Sequence, residues 1–287
     1  MENLKIAIAQ MLVETNPYDA KVKERNMNKA VNMIEEAADK KADLVVLPED
    51  FIGGYAYGPI NMPPKQSEEI LPLLIELAQK HEICIAGTTL NRHGFINSYA
   101  TAFFIDKNGE VRGCQNRIQR YESERKFVDA GKEIEVFETS IGKVGFLTGL
   151  DLLYPELARE LKESNVEFII SPIQGFSRPA KYDDIEIDYP KNFFKVAGLA
   201  RALENSCYVI MVNSVGTHPH SKQKLFGESM IVSPVGVIGK LDDSEKVHVI
   251  CLNEVDKTLV ADIPVGEIDC IHDRSFSITE EDGENDN

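Results

Sequence analysis

Two halves of the chain carry the same order of secondary-structure signals, and this order limits the folds available to the sequence. The first half alternates three strand-like runs with two helical patterns, at residues 4–10, 22–40, 42–50, 67–80 and 83–89. Apolar residues three and four positions apart predict the helices, and short apolar runs predict buried strands. Two further strands flank Asn108-Gly109, a pair that favours the turn of an antiparallel hairpin.

The second half repeats this order. Strand-like runs at 143–149, 166–172 and 207–213 alternate with a helix from Tyr154 and a helix at 191–204, and hairpin-like segments follow. The similarity of the halves predicts one α/β domain with internal pseudo-symmetry, spanning residues 1–278. The acidic segment 279–287, TEEDGENDN, is predicted to be a disordered tail. The long irregular segment 172–190 is interpreted as a binding loop.

The overall charge and the absence of targeting signals narrow the class of protein. A net charge of −16 argues against nucleic acid or an anionic membrane as the main partner, since both require basic surfaces. No apolar run reaches transmembrane length, and residues 1–10 lack the regions of a signal peptide, so we expect a cytoplasmic protein. The five cysteines are well spread and lack metal-site spacing, which favours reduced thiols in the core. Neither a metal nor another cofactor is predicted.

The stretch GFLTGLDLLYPELAREL, residues 145–161, has the shape of a nucleophile elbow. A buried strand runs into a tight glycine-containing turn, and a helix follows from residues 154–156. Such a turn presents a reactive side chain at the end of a strand. The residue at its tip is Gly149, which has no side chain. The sequence therefore combines the local form of a catalytic site with the absence of a nucleophile.

Polar residues at strand ends extend this candidate site, because ligand groups in α/β sheets cluster at the carboxyl ends of strands. Glu49 ends one predicted strand, Arg117 ends another, and Gly149 ends a third. Seven segments around these residues occur in the order found in the nitrilase superfamily, the carbon–nitrogen hydrolases, which the chain resembles over nearly its whole length. These segments are LVVLPE (44–49), 86–111, YESERKFVDAG (121–131), 149–161, 200–213, FGESMIVSPVGVI (226–238) and ADIP (261–264).

The resemblance implies an enzyme chemistry and assigns positions to it. In the family, a cysteine thiolate attacks an amide or nitrile carbon, a glutamate acts as base, and a lysine stabilises the oxyanion together with a backbone N–H. The glutamate falls on Glu49, the lysine position on Arg117, the cysteine position on Gly149, and a second, substrate-positioning glutamate on Glu124. The resemblance also implies a four-layer α-β-β-α sandwich. It further implies a homodimer or larger homo-oligomer, whose interface we place on the helices at 155–163 and 191–204.

Other groups were weighed as replacements for the missing thiol. Thr148 is a poor candidate because it precedes the elbow tip, and successive side chains on a strand point in opposite directions. Cys114 is a poor candidate because no elbow exposes its thiol. A water in a gap beside Gly149 could be activated by Glu49, although losing a nucleophile usually reduces the rate by orders of magnitude. Asp151 is interpreted as the N-cap of the following helix.

Arg117 has two interpretations. The favoured one is a salt bridge with Glu49 or Glu124. In the other, its planar fork binds the carboxylate of a ligand that resembles the family's product.

Two further strand-end residues, Gln174 and Asn213, are predicted to line a substrate pocket whose specificity lies in loops 52–66 and 172–190. The sequence HPH at 218–220 could bind a metal by its spacing, but a solvated loop is favoured.

Three functions remain open. The favoured one is a pseudoenzyme that binds a small amide or carboxylate, or a protein. The second is an amidohydrolase in which Glu49 activates water. The third is a structural subunit of a mixed oligomer.

Overall fold

The fold was analysed on a computed structural model, which describes residues 4–58, 60–94, 97–182, 185–217, 222–242 and 244–251. The predicted tail 279–287, the ADIP segment and the histidines of 218–220 lie outside these residues. Within the described part of the chain, no helix is both long and apolar enough to cross a membrane.

Seventeen strands and four α-helices make up the described chain. The helices are α1 (Val22–Asp39), α2 (Leu71–His81), α3 (Pro155–Glu163) and α4 (Tyr189–Asn205). The strands are β1 (Lys5–Gln10), β2 (Leu44–Glu49), β3 (Cys84–Arg92), β4 (Ser98–Ile105), β5 (Val111–Asn116), β6 (Val128–Asp129), β7 (Val136–Thr139), β8 (Gly142–Phe146), β9 (Phe168–Ile173), β10 (Pro179–Tyr182), β11 (Ile185–Asp188), β12 (Tyr208–Asn213), β13 (Val215–Thr217), β14 (Lys224–Phe226), β15 (Met230–Ser233), β16 (Gly236–Lys240) and β17 (Lys246–Cys251).

The two large sheets have matching topologies. The first has the order β17-β1-β2-β3-β4-β5, with β6 beside β4, and the second has the order β16-β15-β12-β9-β8-β7. In each sheet three consecutive strands are parallel, namely β1 to β3 and then β8, β9 and β12, and the flanking strands are antiparallel. This arrangement follows from the repeated strand-helix order of the sequence, because parallel neighbours need a crossover helix.

Three apolar clusters give the layers of the molecule. One lies between the sheets, where Ile8 and Val46 of the first sheet pack with Ile170 of the second in a single cluster. The outer face of the first sheet packs against α1 and α2, and the outer face of the second packs against α3 and α4. The predicted four-layer α-β-β-α sandwich is therefore confirmed.

One local prediction needs correction. Segment 172–190 is not an irregular loop: β9 extends to Ile173, and β10 and β11 form an antiparallel hairpin before α4 begins at Tyr189. The helix predicted to begin at residues 154–156 is confirmed as α3, and the turn before it is a 3₁₀ turn at Gly149–Leu153. In both helices a proline lies in the first turn, where its missing N–H is not needed.

Candidate functional site

A buried ion cluster lies where β2, β5 and β8 end. The guanidinium of Arg117 donates through Nη1 to Glu49 Oε1 at 2.7 Å and through Nη2 to Glu124 Oε1. The exposed fractions of Glu49, Arg117 and Glu124 are 1%, 1% and 5%. The favoured prediction for Arg117, a salt bridge to one of the two glutamates, is thus confirmed for both at once.

The backbone that carries Arg117 is fixed from two sides. Its N–H donates to the carbonyl of Ala100, which continues the pairing of β4 with β5 by one residue. The next two amides, of Ile118 and Gln119, donate to the carboxylate of Asp151 at 3.1 and 2.7 Å. Burial raises the pKa of Asp151 to about 6 despite these two bonds. Asp151 therefore anchors the segment after Arg117, and its predicted role as the N-cap of α3 is wrong, since that cap has no side-chain bond.

Tyr55 completes the cluster and was missed at the sequence level. Its hydroxyl donates to Glu49 Oε1 at 2.7 Å, and the centre of the Arg117 guanidinium lies 5.7 Å from its ring centroid. The buried carboxylate of Asp50 accepts from the Tyr55 N–H at 2.6 Å and so holds this loop. The available signal was GGYAYG at residues 53–58, with a tyrosine pair in the loop that follows the strand ending in Glu49.

Gly149 adopts a left-handed conformation with φ of +53°. A Cβ atom built on it would lie 2.8 Å from Glu49 Oε2, 2.9 Å from Glu49 Oε1 and 3.1 Å from Arg117 Nη1. Contacts this short do not occur between a Cβ atom and fixed neighbours. The predicted gap beside Gly149 is therefore wrong, because the Glu49 carboxylate and the Arg117 guanidinium occupy that space.

The charge state of Glu49 is set by two opposing effects. Burial raises the pKa of its carboxyl, whereas Arg117 and the Tyr55 hydroxyl lower it, and the result is a pKa of about 7. Burial also disfavours the charge of Arg117, but Tyr55, Glu49 and Glu124 outweigh it and raise the pKa of the guanidinium further above its usual range. The cluster therefore carries a fixed cation beside a carboxyl that titrates near neutral pH.

No alternative nucleophile reaches this position among the described residues. The Thr148 hydroxyl is buried and pairs with that of Thr88 at 3.4 Å. The Cys114 thiol lies 3.9 Å from Gln66 Oε1 and does not line the cavity beside the cluster. Burial raises the pKa of the Cys84 and Cys207 thiols to about 12, which keeps both in the unreactive thiol form.

A cavity of about 610 Å³ opens beside the ion cluster. Seven of its sixteen lining residues are aromatic, and the lining consists of Glu49, Tyr55, Tyr121, Ser123, Glu124, Phe127, Leu150, Leu153, Gln174, Phe176, Arg178, Tyr189, Pro190, Phe193, Phe194 and Gln223. Arg117 is absent from this lining, and both of its terminal nitrogens are bound to glutamates. The prediction that its fork binds a ligand carboxylate stays a prediction, and the pairing of Arg117 with both glutamates counts against it.

Of the two residues at strand ends that were predicted to line the pocket, one lines the cavity and the other does not. Gln174 lines the cavity, and its backbone N–H donates to Glu49 Oε2 at 3.1 Å. Asn213 does not line it: its Oδ1 accepts from the N–H groups of Gly175 and Ser214, and its Nδ2 donates to the carbonyl of Gly227. Asn213 thus fixes backbone, and its assignment as a substrate-binding residue stays a prediction that these contacts do not support.

The acidic cluster does not have the composition of a metal site. Across the described ranges, no group of three or more His, Cys, Asp and Glu side chains is arranged to hold a metal ion. At the ion cluster the Arg117 guanidinium binds one oxygen of each glutamate.

Comparisons with known proteins bear on this site and on the fold. The family profile of the carbon-nitrogen hydrolases matches residues 5–268. A Caenorhabditis elegans fusion protein of nitrilase and fragile histidine triad, NitFhit, is 29% identical over 89% of this chain, which spans only 57% of that protein's length. A 2-oxoglutaramate amidase from Bacillus subtilis is 27% identical over 74% of this chain and 77% of its own.

A solved structure shows the same fold. The carbon-nitrogen hydrolase from Helicobacter pylori G27 superposes with a TM-score of 0.79, covering 95% of this chain and 93% of its own at 19% identity. This likeness concerns the fold alone, whereas the family profile covers most of the sequence. The chain belongs to the carbon–nitrogen hydrolase family, the nitrilase superfamily.

Proposed function

We propose that this nitrilase-type protein binds a small molecule in its aromatic cavity and does not cleave carbon–nitrogen bonds through a thiol. In this proposal Gly149 stands at the position of the family's cysteine and Arg117 at that of its lysine. One observation carries the proposal: the Arg117 guanidinium bridges Glu49 and Glu124 directly beside Gly149, while the cavity next to them stays open.

The chemistry of the cluster supports this proposal. Thiol catalysis needs a nucleophile, a base that takes its proton, and a cation free to stabilise the oxyanion. Position 149 has no nucleophile, and Arg117 already donates to both carboxylates. The cation is also absent from the cavity lining, so a ligand meets the oxygens of Glu49 and Glu124 instead. Binding needs only the cavity, and that part of the site is intact.

The test is a panel of amides, nitriles and carbamoyl compounds at high protein concentration, followed by ammonia release and by intact mass. We expect no acyl adduct on any cysteine, no ammonia above the level of a Glu49→Gln variant, and raised thermal stability with the compounds that bind. An acyl adduct would overturn the proposal. An active amidase of the family serves as the positive control for the ammonia assay.

A second candidate is hydrolysis by water, and the pKa of about 7 of Glu49 favours it, because a general base works best near the operating pH. Against it stands the missing gap beside Gly149, where Glu49 itself lies. Ammonia release that disappears in Glu49→Gln would select this candidate over the binding function.

We also infer a homodimer that forms through α4. Phe193, Val196 and Leu203 are exposed by 57%, 63% and 62%, and their spacing places them along one face of this helix. Three exposed large apolar side chains in one stripe are typical of an interface. A mixed oligomer with an active relative would use the same stripe, and co-purification of a second chain would select that candidate. A reducing compartment such as the cytoplasm is proposed because the described cysteines Cys84, Cys114 and Cys207 are free thiols.

A further inference from the structure

The carboxylate of Glu124 has one oxygen that the protein binds and one that it leaves to the cavity. Oε1 accepts from Arg117 Nη2 and from the Tyr121 N–H, the latter at 2.7 Å. Oε2 accepts no hydrogen bond from the described residues, and it is not sealed off as the unpartnered amide atoms of Gln174 are. Glu124 lines the cavity, and 7% of its side-chain surface is accessible. Its Oε2 is therefore an acceptor that a ligand can reach.

The charges around this oxygen favour a cation as the ligand. Arg117 brings one positive charge to two carboxylates, so the ion cluster carries a net negative charge whenever Glu49 is ionised. Both oxygens of Glu49 are occupied, Oε1 by Arg117 and Tyr55 and Oε2 by the Gln174 N–H. Glu49 therefore contributes charge, whereas the contact with a ligand falls to Glu124.

The aromatic lining adds a second attraction for a cation. Seven of the sixteen lining residues are aromatic, and two of them, Tyr121 and Phe127, lie three residues to either side of Glu124 in the sequence. The face of an aromatic ring is electron-rich and attracts a cation, the more so where water is excluded. The net charge of −16 adds a field that draws cations toward a cleft of this kind.

One cation opposes this attraction. Among the described residues of the lining, Arg178 is the only positively charged one. It is exposed, and its Nη1 donates to the hydroxyl of Tyr189 at 2.8 Å. Water and salt screen an exposed charge, so Arg178 weakens the binding of a cation only slightly. An anion beside Glu124 would instead meet a carboxylate without a free cation, because Arg117 is bound to both glutamates.

We propose that the cavity selects an aromatic organic cation, whose amidinium or ammonium N–H donates to Glu124 Oε2 while its ring packs on the aromatic lining. The inference rests on the proposed binding function, and it adds the charge of the ligand and the residue that recognises this charge. Such a ligand differs from the neutral amides and nitriles that thiol hydrolases of the family cleave.

Binding of a cation also changes the protonation of the ion cluster. Burial raises the pKa of Glu49 to about 7 against the attraction of Arg117 and the bond from Tyr55, and the nearby charges of Glu124 and Asp50 raise it as well. A bound cation favours the ionised form of Glu49. Binding at pH 7 therefore releases up to about half a proton per ligand, and at about pH 8.5, where Glu49 is already ionised, the release disappears.

The test measures the binding of benzamidine, benzamide and benzoate, which share one ring and differ in charge, to the full-length protein by calorimetry. The wild-type chain is expected to bind benzamidine about tenfold or more tightly than benzamide, and benzoate more weakly still. Titrations with benzamidine at pH 7 in two buffers of different ionisation enthalpy measure the released protons. Glu49→Gln is expected to bind benzamidine without this release.

A pair of variants on one 3₁₀ turn locates the contact. Glu124→Gln is expected to lose the preference for benzamidine. The matched control is Glu122→Gln, since the side chain of Glu122 is 86% exposed on the same turn and does not line the cavity. This control is expected to keep the preference. If Glu124→Gln does not fold, as circular dichroism would show, the proton release of the wild-type chain decides the question.

The outcomes separate this inference from the function on which it rests. Binding of benzamide or benzoate as tight as that of benzamidine, or no binding of any of the three, overturns the ligand class while the binding function stands. A preference for benzamidine without proton release places the cation away from the ion cluster and overturns the role of Glu124. Conversion of benzamide to benzoate and ammonia by the wild-type chain but not by Glu49→Gln overturns the binding function itself.

Discussion

The ion cluster of Glu49, Arg117 and Glu124 beside the cavity, called the floor below, and the cavity wall differ in how their polar groups are used. On the floor, Arg117 donates to Glu49 and Glu124, and Tyr55 adds a further bond to Glu49. On the wall, both amide atoms of Gln174 are buried without a partner. The floor satisfies its charges within the protein, whereas the described residues supply no partner to the Gln174 amide.

This difference separates two functions that an active hydrolase combines. Transition-state stabilisation requires charged groups that are free to meet the reacting atoms, and here they meet each other. Ligand binding requires an apolar cavity with a few polar groups, and such a cavity lies beside the floor. In the function proposed above, pairing within the floor removes the thiol chemistry, while the cavity keeps its capacity to bind.

The strongest way to break the floor is to remove its cation. Arg117→Met leaves Glu49 and Glu124 buried without compensation, and we expect a loss of about 3–5 kcal/mol in the free energy of unfolding near pH 8. Urea denaturation measures it. The matched control is Arg25→Met, since Arg25 also bridges two carboxylates, of Glu14 and Asp19, but on the exposed surface of α1. Similar losses in both variants would show that burial of the floor is not what matters.

The pH dependence of the free energy of unfolding tests whether burial or the attraction of Arg117 dominates the pKa of Glu49. Its folded pKa of about 7 lies above the ordinary value of 4.5, so the unfolded chain releases this proton first as the pH rises. Stability is therefore fully present below about pH 4.5 and falls until about pH 7, by a contribution on the order of 3 kcal/mol. Glu49→Gln, which imitates the protonated form, should lack this contribution.

Urea titrations of both chains at several pH values between about 5 and 8 isolate the effect of Glu49 by difference. Asp50 and Asp151, whose pKa values burial also raises, contribute to both chains alike. If the wild-type chain instead gains stability relative to Glu49→Gln as the pH rises, the attraction of Arg117 outweighs burial and the floor holds two full carboxylates.

Adding a side chain at position 149 tests whether the Glu49 carboxylate occupies the space beside it. Gly149→Ala places a Cβ atom against the Glu49 carboxylate and imposes a left-handed conformation on a non-glycine residue, so we expect a loss of about 1–3 kcal/mol. Glu49→Ala combined with Gly149→Ala removes the steric part but keeps the backbone strain. The double-mutant cycle therefore measures the clash alone, and full additivity would mean that Gly149 and Glu49 do not compete for space.

The same reasoning extends to catalysis. Gly149→Cys alone is expected to form no acyl adduct with an amide substrate, because Arg117 keeps the carboxylate in the space of the thiol. Gly149→Cys with Arg117→Lys replaces the fork by a point charge that can release Glu49. Adduct formation by the single variant, seen by intact mass, would show that the floor is less closed than its contacts indicate.

Periodicity and strand-end position predicted the parts of this molecule that depend on local pattern. The repeated strand-helix order determined both sheets, and the rule for carboxyl ends of strands brought Glu49, Arg117 and Gly149 together. The hairpin of β10 and β11 was missed although IEID alternates apolar and acidic residues, since its prolines and flanking aromatic residues favoured a loop. The proline and aromatic content of the segment was given more weight than the alternation in IEID.

Long-range hydrogen bonds explain why the contacts of Asp151 and Asn213 were not predicted from the sequence. Asp151 binds two amides 32 and 33 residues away in the sequence, and Asn213 accepts from an amide 38 residues away. A short polar side chain at a strand end or before a helix has the same sequence signature whether it caps, binds a ligand or anchors backbone. Only the position of the distant N–H groups decides, and no local pattern encodes it.

The smallest expected effect on the stability of a single chain comes from the surface that continues the wall. Phe193 lines the cavity and also belongs to the apolar stripe of α4 with Val196 and Leu203. Val196→Glu should convert the proposed dimer to a monomer in light scattering, while changing the stability of the isolated chain by less than about 0.5 kcal/mol, because the side chain is exposed.

Binding of an amide such as benzamide to this variant then shows whether the cavity is complete within a single chain. If the monomeric variant binds as the wild-type protein does, the cavity is complete within a single chain and the stripe serves assembly alone. If binding weakens when the proposed dimer dissociates, α4 of the partner subunit helps to enclose the ligand beside Phe193. The matched control is Val237→Glu, an exposed valine on β16 with an exposed fraction of 42% against 63% for Val196. If the wild-type chain is already monomeric, the apolar stripe of α4 does not form the proposed interface, and a single chain forms the whole cavity.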